Sequence, residues 1–201
     1  RNLPHAGVVI CSLLTNLQDT RDFFVLKIIK KKNKRTAAWN EAALSPHNDI
    51  GSSGGTGKID KSCLIFAWEH PSVSNESAKR GFQTVMCPGQ KTYFDMAYNN
   101  ATSERGISWA ATIEASEIHS WKPLKDVDKD YHNLILGIQG QLWSETITKP
   151  EYIDTLINPR LACLSEVAWC SDNRRGWAEF KPTLLHNMKI LSKLGWKYHN
   201  F

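Results

Sequence analysis

The sequence predicts an α/β fold built on a parallel sheet with crossover helices. Strand and helix signals alternate along the chain. Cys63 to Trp68 is an unbroken apolar run, the pattern of a strand buried on both faces. Leu134 to Glu145 reads as the clearest strand. Leu134, Leu136, Ile138 and Leu142 fall on one face, and Gln139, Gln141, Trp143 and Glu145 on the other, which turns polar towards its C-terminal end. Four strands can be counted. A doubly wound sheet accommodates them, and so does part of an eight-stranded β/α barrel. A complete barrel needs about 250 residues, so the 201 present hold about half of one.

The elements follow in order. Thr15-Asn16-Leu17-Gln18 resembles a capping box and opens a helix with Leu17, Phe24 and Ile28 on one side. The helix runs into a basic cluster, Lys27 to Arg35. A short strand occupies about Thr36 to Asn40. Residues 45–61 form a glycine- and serine-rich loop before the apolar strand at Cys63. Ser74 caps a short helix that stops at Lys79-Arg80-Gly81, cations followed by glycine. Gln83 to Cys87 is the next strand, ended by Pro88-Gly89. Residues 91–130 are long, mixed and rich in aromatic and acidic side chains. After the strand at 134–145 come a helix over Pro150 to Ile157 and a second with Asn158 as cap and Pro159 at its first position. A last amphipathic helix carries Leu184, Met188 and Leu191 and ends near Gly195. The whole chain, 1–201, reads as a single domain, with the half barrel over 1–176 and a C-terminal helix and tail over 177–201.

Composition excludes several function classes. With 41% hydrophobic and 22% charged residues, the chain is neither disordered nor fibrous. Its net charge of +5 is mild, and the lysine cluster comes with no nucleic-acid-binding motif. Cations in the last turn of a helix, complementing its dipole, explain it instead. The N-terminal Arg1-Asn2-Leu3-Pro4-His5 has no signal-peptide layout, and the apolar Ala6 to Leu14 is too short to span a bilayer. The five cysteines, Cys11, Cys63, Cys87, Cys163 and Cys170, have no metal-ligand spacing with the histidines, so no metal or cofactor is expected. Cys63 and Cys87 read as buried small hydrophobes. Cys163 and Cys170 lie about 10 Å apart along a helix, too far for a bridge. The loop ending Gly57-Lys58 is not a phosphate loop, because Ser52 and Ile59 occupy its glycine and Ser/Thr positions. No G-x-S-x-G elbow is present. Eight tryptophans make carbohydrate a candidate ligand, since the flat indole face matches the C–H face of a pyranose.

The ends of the strands carry a family resemblance. Gln139-Gly140-Gln141-Leu142-Trp143-Ser144-Glu145 resembles the last barrel strand of family 20 glycoside hydrolases, the β-N-acetylhexosaminidases and chitobiases. Asn158-Pro159-Arg160-Leu161-Ala162 and Ser165-Glu166-Val167-Ala168-Trp169 resemble the helix after it. Gly81 to Asp95, with Val85-Met86-Cys87-Pro88 and Tyr93-Phe94-Asp95, is similar to the seventh strand and its loop. Ala38-Trp39 and Ala67-Trp68 fit the fifth and sixth strand ends. Five motifs in family order cover nearly the whole chain. They imply the C-terminal half, about strands 5–8, of a TIM (β/α)8 barrel plus a C-terminal helix. One departure accompanies them. The family's His-x-Gly-Gly-Asp-Glu motif, which carries the catalytic acid and its Asp partner at the end of strand 4, has no match, and neither has the first-strand arginine. The sequence is read as beginning after that point.

The resemblance implies a reaction in which the substrate's own acetamide is the nucleophile, an exception to the two-carboxylate scheme. Trp39, Trp68 and Trp143 match the apolar box around the acetamide. Each lies at a strand's C-terminal end, where barrel active sites form. Tyr93 matches the tyrosine that hydrogen-bonds the acetamide oxygen. Asp95 belongs to the sugar or leaving-group side, and Glu145 resembles the carboxylate that binds pyranose hydroxyls. Trp109 is the choice, over Trp121, for stacking on a further sugar. Trp169, Trp177 and Trp196 read as structural. Glu41, Glu69 and His70 follow strand ends without assigned roles.

The expected function is therefore part of a β-N-acetylhexosaminidase that removes terminal β-linked N-acetylhexosamine from chito-oligosaccharides or glycoconjugates, as in chitin degradation. The 201 residues alone are expected to be inactive. A non-catalytic carbohydrate- or partner-binding module is the alternative, and an unrelated barrel enzyme using Glu145 with Glu41 or Glu69 a third. Half a barrel has open strand edges, so the partner is the missing N-terminal half or a second copy. No nucleic acid and no membrane span are expected. A periplasmic or secreted location follows from the resemblance alone.

Overall fold

The computed structural model describes residues 8–11 (backbone only), 27–44, 59–170 and 173–201. The capping box at Thr15, the helix positions Leu17 and Phe24, the side chain of Cys11 and residues 45–58 of the glycine-rich loop lie outside them. The chain divides into two compact units, one of residues 1–86 and 123–137, the other of 87–122 and 138–201.

The first unit is built on a parallel sheet. Strands β1 (Val8–Cys11), β2 (Arg35–Trp39), β3 (Leu64–Ala67) and β4 (Thr84–Met86) pair in chain order, and β5 (Ile135–Ile138) follows β4 in the sheet. The registers are in step, with Val8 opposite Arg35, Ala37 opposite Leu64 and Ile65 opposite Thr84. A strand precedes the four expected from the sequence. Val8-Val9-Ile10 is a β-branched run, which favours a strand. All four residues of β3 are buried, as its continuous apolar run requires. Ala38, Ile65, Ala67, Val73 and Phe82 form the core beneath it with Cys63.

Helix α1 spans Val73–Lys79, two residues earlier than a cap at Ser74 would allow. Ser72 holds the cap position, and Ser74 is fully buried inside the first turn. The far end matches the sequence. Gly81 takes a φ of 86°, the Phe82 N–H donates to the Ser77 carbonyl and the Gly81 N–H to that of Ala78, which is the Schellman closure. The basic cluster ends a helix in the same way. Residues 27–31 are helical, Asn33 sits at φ 52°, and Lys34 and Asn33 donate back to the carbonyls of Ile29 and Lys30.

Strand β5 is shorter than the alternation from 134 to 145 suggested. It ends at Ile138, and Leu136 is half exposed rather than packed under a helix. Gly137 sits inside β5 at φ 153°, and the strand does not continue past Ile138, so residues 134–145 do not keep two continuous faces.

The second unit packs helices around the segment 93–98. They are α2 (Gly89–Thr92), α3 (Ala115–Ser120), α4 (Glu151–Ile157), α5 (Arg160–Trp169) and α6 (Trp177–Lys193). Glu114 and Glu117 form a capping box at the start of α3. At its other end Arg174 donates to the carbonyls of His119 and Trp121. Phe180, Leu184 and Met188, four residues apart, face inward from α6, with Phe180 stacked on His119 at 4.4 Å. Helix α5 begins one residue later than a proline at its first position would place it. Pro159 is the cap residue, while Asn158 closes α4 by donating its N–H to Asp154. Trp121 is buried at the end of α3, and Trp177 packs on His119. Trp169 is 93% exposed, so it takes no part in packing. Cys163, Leu164 and Val167 point inward from α5, and Trp169 ends the helix off that stripe. Cys63, Cys87 and Cys163 are buried, and Cys170 is partly exposed.

Candidate active site

In the second unit, two chain segments meet through peptide groups. Tyr93 and Gln141 form a parallel bridge. Phe94 N–H donates to the Gln141 carbonyl at 2.7 Å, and Gln141 N–H donates to the Thr92 carbonyl at 3.0 Å. This bridge brings Tyr93 beside Trp143. Their ring centroids lie 5.9 Å apart, and the Trp109 ring meets Tyr93 edge-on at 6.0 Å. Tyr93 itself is buried, while Trp109 and Trp143 are 53% and 38% exposed. A buried tyrosine flanked by two partly exposed indoles presents aromatic surface of the kind a pyranose can cover.

Asp95 stands two residues on and is almost fully buried. Its Oδ1 accepts the backbone N–H of Trp143 at 3.3 Å, and its Oδ2 has no hydrogen-bond partner. Burial pushes the Asp95 carboxyl above its ordinary range. The Trp143 N–H opposes that, Glu145 adds to it, and Arg160 opposes it. Glu145 is exposed, near enough to Asp95 to repel it. Tyr93, Asp95, Trp109, Trp143 and Glu145 thus belong to one neighbourhood.

The first unit gathers the other expected residues at the ends of β2 and β3. Trp39 meets Phe66 edge-on at 5.9 Å. The Trp68 backbone N–H donates to Asn40 Oδ1 at 3.0 Å, and its indole N–H donates to Glu41 Oε1 at 2.9 Å. Burial raises the Glu41 carboxyl, its hydrogen bonds lower it, and Glu69 raises it further. His70 is exposed and bonds to Ser72. Among the described residues, no group of His, Cys, Asp and Glu is arranged to hold a metal ion, and no helix is long and apolar enough to cross a membrane.

The model of the glycosyl hydrolase family 20 catalytic domain matches residues 11–172. The chain belongs to that family. A β-hexosaminidase of Vibrio furnissii is 32% identical over 141 residues, covering 69% of this chain and 21% of that protein. A β-N-acetylhexosaminidase of Cellulomonas fimi is 24% identical over 88% of this chain and 34% of its own length. The chain therefore spans about a fifth to a third of these relatives. Among solved structures, the family 20 exo-β-N-acetylglucosaminidase of Vibrio harveyi, in complex with N-acetylglucosamine, is 28% identical. It superposes with a TM-score of 0.79 over 92% of this chain and 28% of that one. A Streptomyces plicatus β-hexosaminidase, at 24% identity and a TM-score of 0.75, shares the fold. The fold class is α/β, the C-terminal half of a TIM barrel with a C-terminal helix.

Sequence reasoning passed over two features of this family 20 chain. Glu41 binds the Trp68 indole, and the only clue was its place just past a strand end. Arg160 sits in the Asn158-Pro159-Arg160 motif, which by itself assigns it no role. It lies on the same stripe of α5 as Cys163, Leu164 and Val167 and is fully buried with them. A cation on an apolar helical stripe is the signal that could have singled it out.

The raised Asp95 carboxyl gives a pH-dependent expectation. An acid that titrates higher when folded holds its proton more tightly in the native state. The stability it contributes is complete below the unfolded carboxyl range, about pH 4, and is lost as pH rises towards the folded value. Asp95→Asn keeps the acceptor for the Trp143 N–H and removes the charge. Urea unfolding of both proteins across this range should show the variant gaining on the wild type as pH rises. A constant difference would refute the assignment.

Proposed function

We propose that this chain supplies the sugar-holding side of a β-N-acetylhexosaminidase site, acting on terminal β-linked N-acetylglucosamine or N-acetylgalactosamine of chito-oligosaccharides or glycoconjugates. The observation that carries the reading is the Tyr93 ring set between Trp109 and Trp143 with Asp95 beside it, in a family 20 chain. In this reading Trp143 packs against the acetamide, and the Tyr93 hydroxyl donates to its carbonyl oxygen. That oxygen attacks the anomeric carbon as the glycosidic bond breaks, giving an oxazolinium-like intermediate that water opens with net retention. Asp95 lies on the sugar or leaving-group side, Glu145 accepts hydrogen bonds from pyranose hydroxyls, and Trp109 stacks on a further sugar. Holding the acetamide under the anomeric carbon turns a bimolecular attack into an intramolecular one.

The leaving oxygen still needs a proton, and no His-x-Gly-Gly-Asp-Glu sequence occurs in these 201 residues. The same absence favours a second reading, a carbohydrate-binding module without turnover. The experiment is hydrolysis of a chromogenic N-acetylglucosaminide by this chain, alone and mixed with the N-terminal part of a family 20 barrel. No turnover alone and recovery on mixing is the expected result, and it identifies the partner as the other half of the barrel rather than a second copy. Binding without turnover in either sample supports the module. Hydrolysis by the chain alone would overturn both readings. A periplasmic or secreted location is part of the same proposal and rests on family membership.

A further inference from the structure

Arg160, the first residue of α5, is completely buried. Its Nη1 donates to two main-chain carbonyls, that of Phe94 at 2.8 Å and that of Met96 at 2.7 Å. Its guanidinium lies 3.4 Å over the ring of Tyr98. Its Nε and Nη2 are buried without hydrogen-bond partners. An interior guanidinium whose donors are only partly used is costly, and an apolar side chain of similar volume would fill such a space with less penalty. What the apolar replacement could not do is hold the carbonyls on both sides of one residue, and that residue is Asp95.

We infer that Arg160 is a positioning residue for the sugar site. By gripping the carbonyls of Phe94 and Met96 it fixes the 94–95 and 96–97 peptides, one directly before Asp95 and one a residue beyond it, and with them the aim of the Asp95 carboxylate and the Tyr93 hydroxyl. This rests on the reading of those two residues as sugar-facing. The segment is otherwise tied at its start by the Tyr93–Gln141 bridge and at its end by Ala97 N–H donating to Ile107. Between these ties, the Arg160 grip accounts for the carbonyls of residues 94 and 96, while the Asp95 carbonyl accepts from Ile107 N–H. The guanidinium also opposes the burial and the Glu145 charge that together raise the Asp95 carboxyl. Arg160 thus serves Asp95 twice, through the backbone and through its charge, without touching substrate.

The test uses the 201-residue chain with aspartate carboxyls labelled with carbon-13, and follows Asp95 titration by NMR alongside N-acetylglucosamine binding and thermal unfolding. Arg160→Met should raise the Asp95 midpoint and weaken N-acetylglucosamine about tenfold or more. Arg160→Lys keeps the charge but replaces the planar fork with a point donor. It should move the midpoint less while still losing affinity. A lowered melting temperature with wild-type Asp95 titration and wild-type binding would overturn the inference, and Arg160→Lys decides it alone if the methionine variant does not fold. If the wild-type chain binds no N-acetylglucosamine, the sugar-site reading fails, yet the Asp95 midpoint still reports whether Arg160 sets that carboxylate.

Discussion

Gly106→Ala should unfold the second unit more readily than any conservative change at its aromatic residues. Gly106 has a φ of 109°, and a Cβ built there would stand 2.6 Å from the Asp95 carbonyl oxygen, 2.7 Å from the Ala97 nitrogen and 2.8 Å from the Met96 carbonyl carbon. All three atoms are backbone, so no side-chain rotation relieves the overlap. The backbone conformation alone costs a non-glycine residue about 1–3 kcal/mol. Moving the neighbouring chain would also stretch the Ile107 N–H bond to Asp95 and the Ala97 N–H bond to Ile107, at 2.9 and 2.7 Å, each worth about 1 kcal/mol. The expected loss is about 3 kcal/mol or more, read from urea unfolding. Gly176→Ala is the control. That glycine caps α6 at a φ of −66° and meets nothing within 4 Å, so its loss should be about 0.5 kcal/mol. Equal effects at the two positions would mean that the 95–97 segment gives way easily, and the close approach at Gly106 would then set nothing.

Tyr93→Phe carries the largest expected effect on recognition. The ring is buried between Trp109 and Trp143, and phenylalanine preserves that packing, so the protein should lose only about 1 kcal/mol of stability. The hydroxyl is the group proposed to donate to the acetamide. A site built to hydrogen-bond a substrate group loses more than the bond itself when one partner is missing, because the other is left buried and unpaired. N-acetylglucosamine affinity should therefore fall about 30-fold, or about 2 kcal/mol, while affinity for glucose, which has no acetamide, should stay unchanged. Calorimetric titration with both sugars tests this. A parallel fall for both would assign Tyr93 to packing of the pocket. An unchanged preference for the acetylated sugar would remove it from the acetamide site.

The sequence carried the fold where one physical rule dominated. A continuous apolar run at Cys63 to Trp68 can only be a strand covered on both faces, and β3 is that strand. A glycine behind two cations ended α1, and spacing by fours on the last helix picked out Leu184 and Met188. It was less legible where rules competed. At 134–145 the alternation of side chains argued for a long strand, but the strand ends at Ile138, with Gly137 inside it at a φ of 153°. Around α5, the sequence placed proline inside the helix and the structure places it at the cap. Of the site, the strand-end tryptophans and the Tyr93-Phe94-Asp95 segment were visible as motifs. What they rest on was not, because the grip of Arg160 spans more than sixty residues of sequence. Such a tie leaves no local pattern beyond a cation on an apolar stripe. The hydrogen bond from Trp68 to Glu41 likewise joins residues 27 apart.

The bridge between Tyr93 and Gln141 is made by main-chain donors and acceptors at 92, 94 and 141, and so it is indifferent to most side chains. Laboratory evolution can use that. The two partly exposed indoles, Trp109 and Trp143, can be randomised to reshape the surface offered to a sugar while the peptides carrying Tyr93 and residue 143 stay in register. The exclusions are narrow and chemical. Proline at 94 or at 141 removes a donor that no neighbouring group replaces, so a library that omits proline at those two positions should keep its scaffold while its sugar preference drifts.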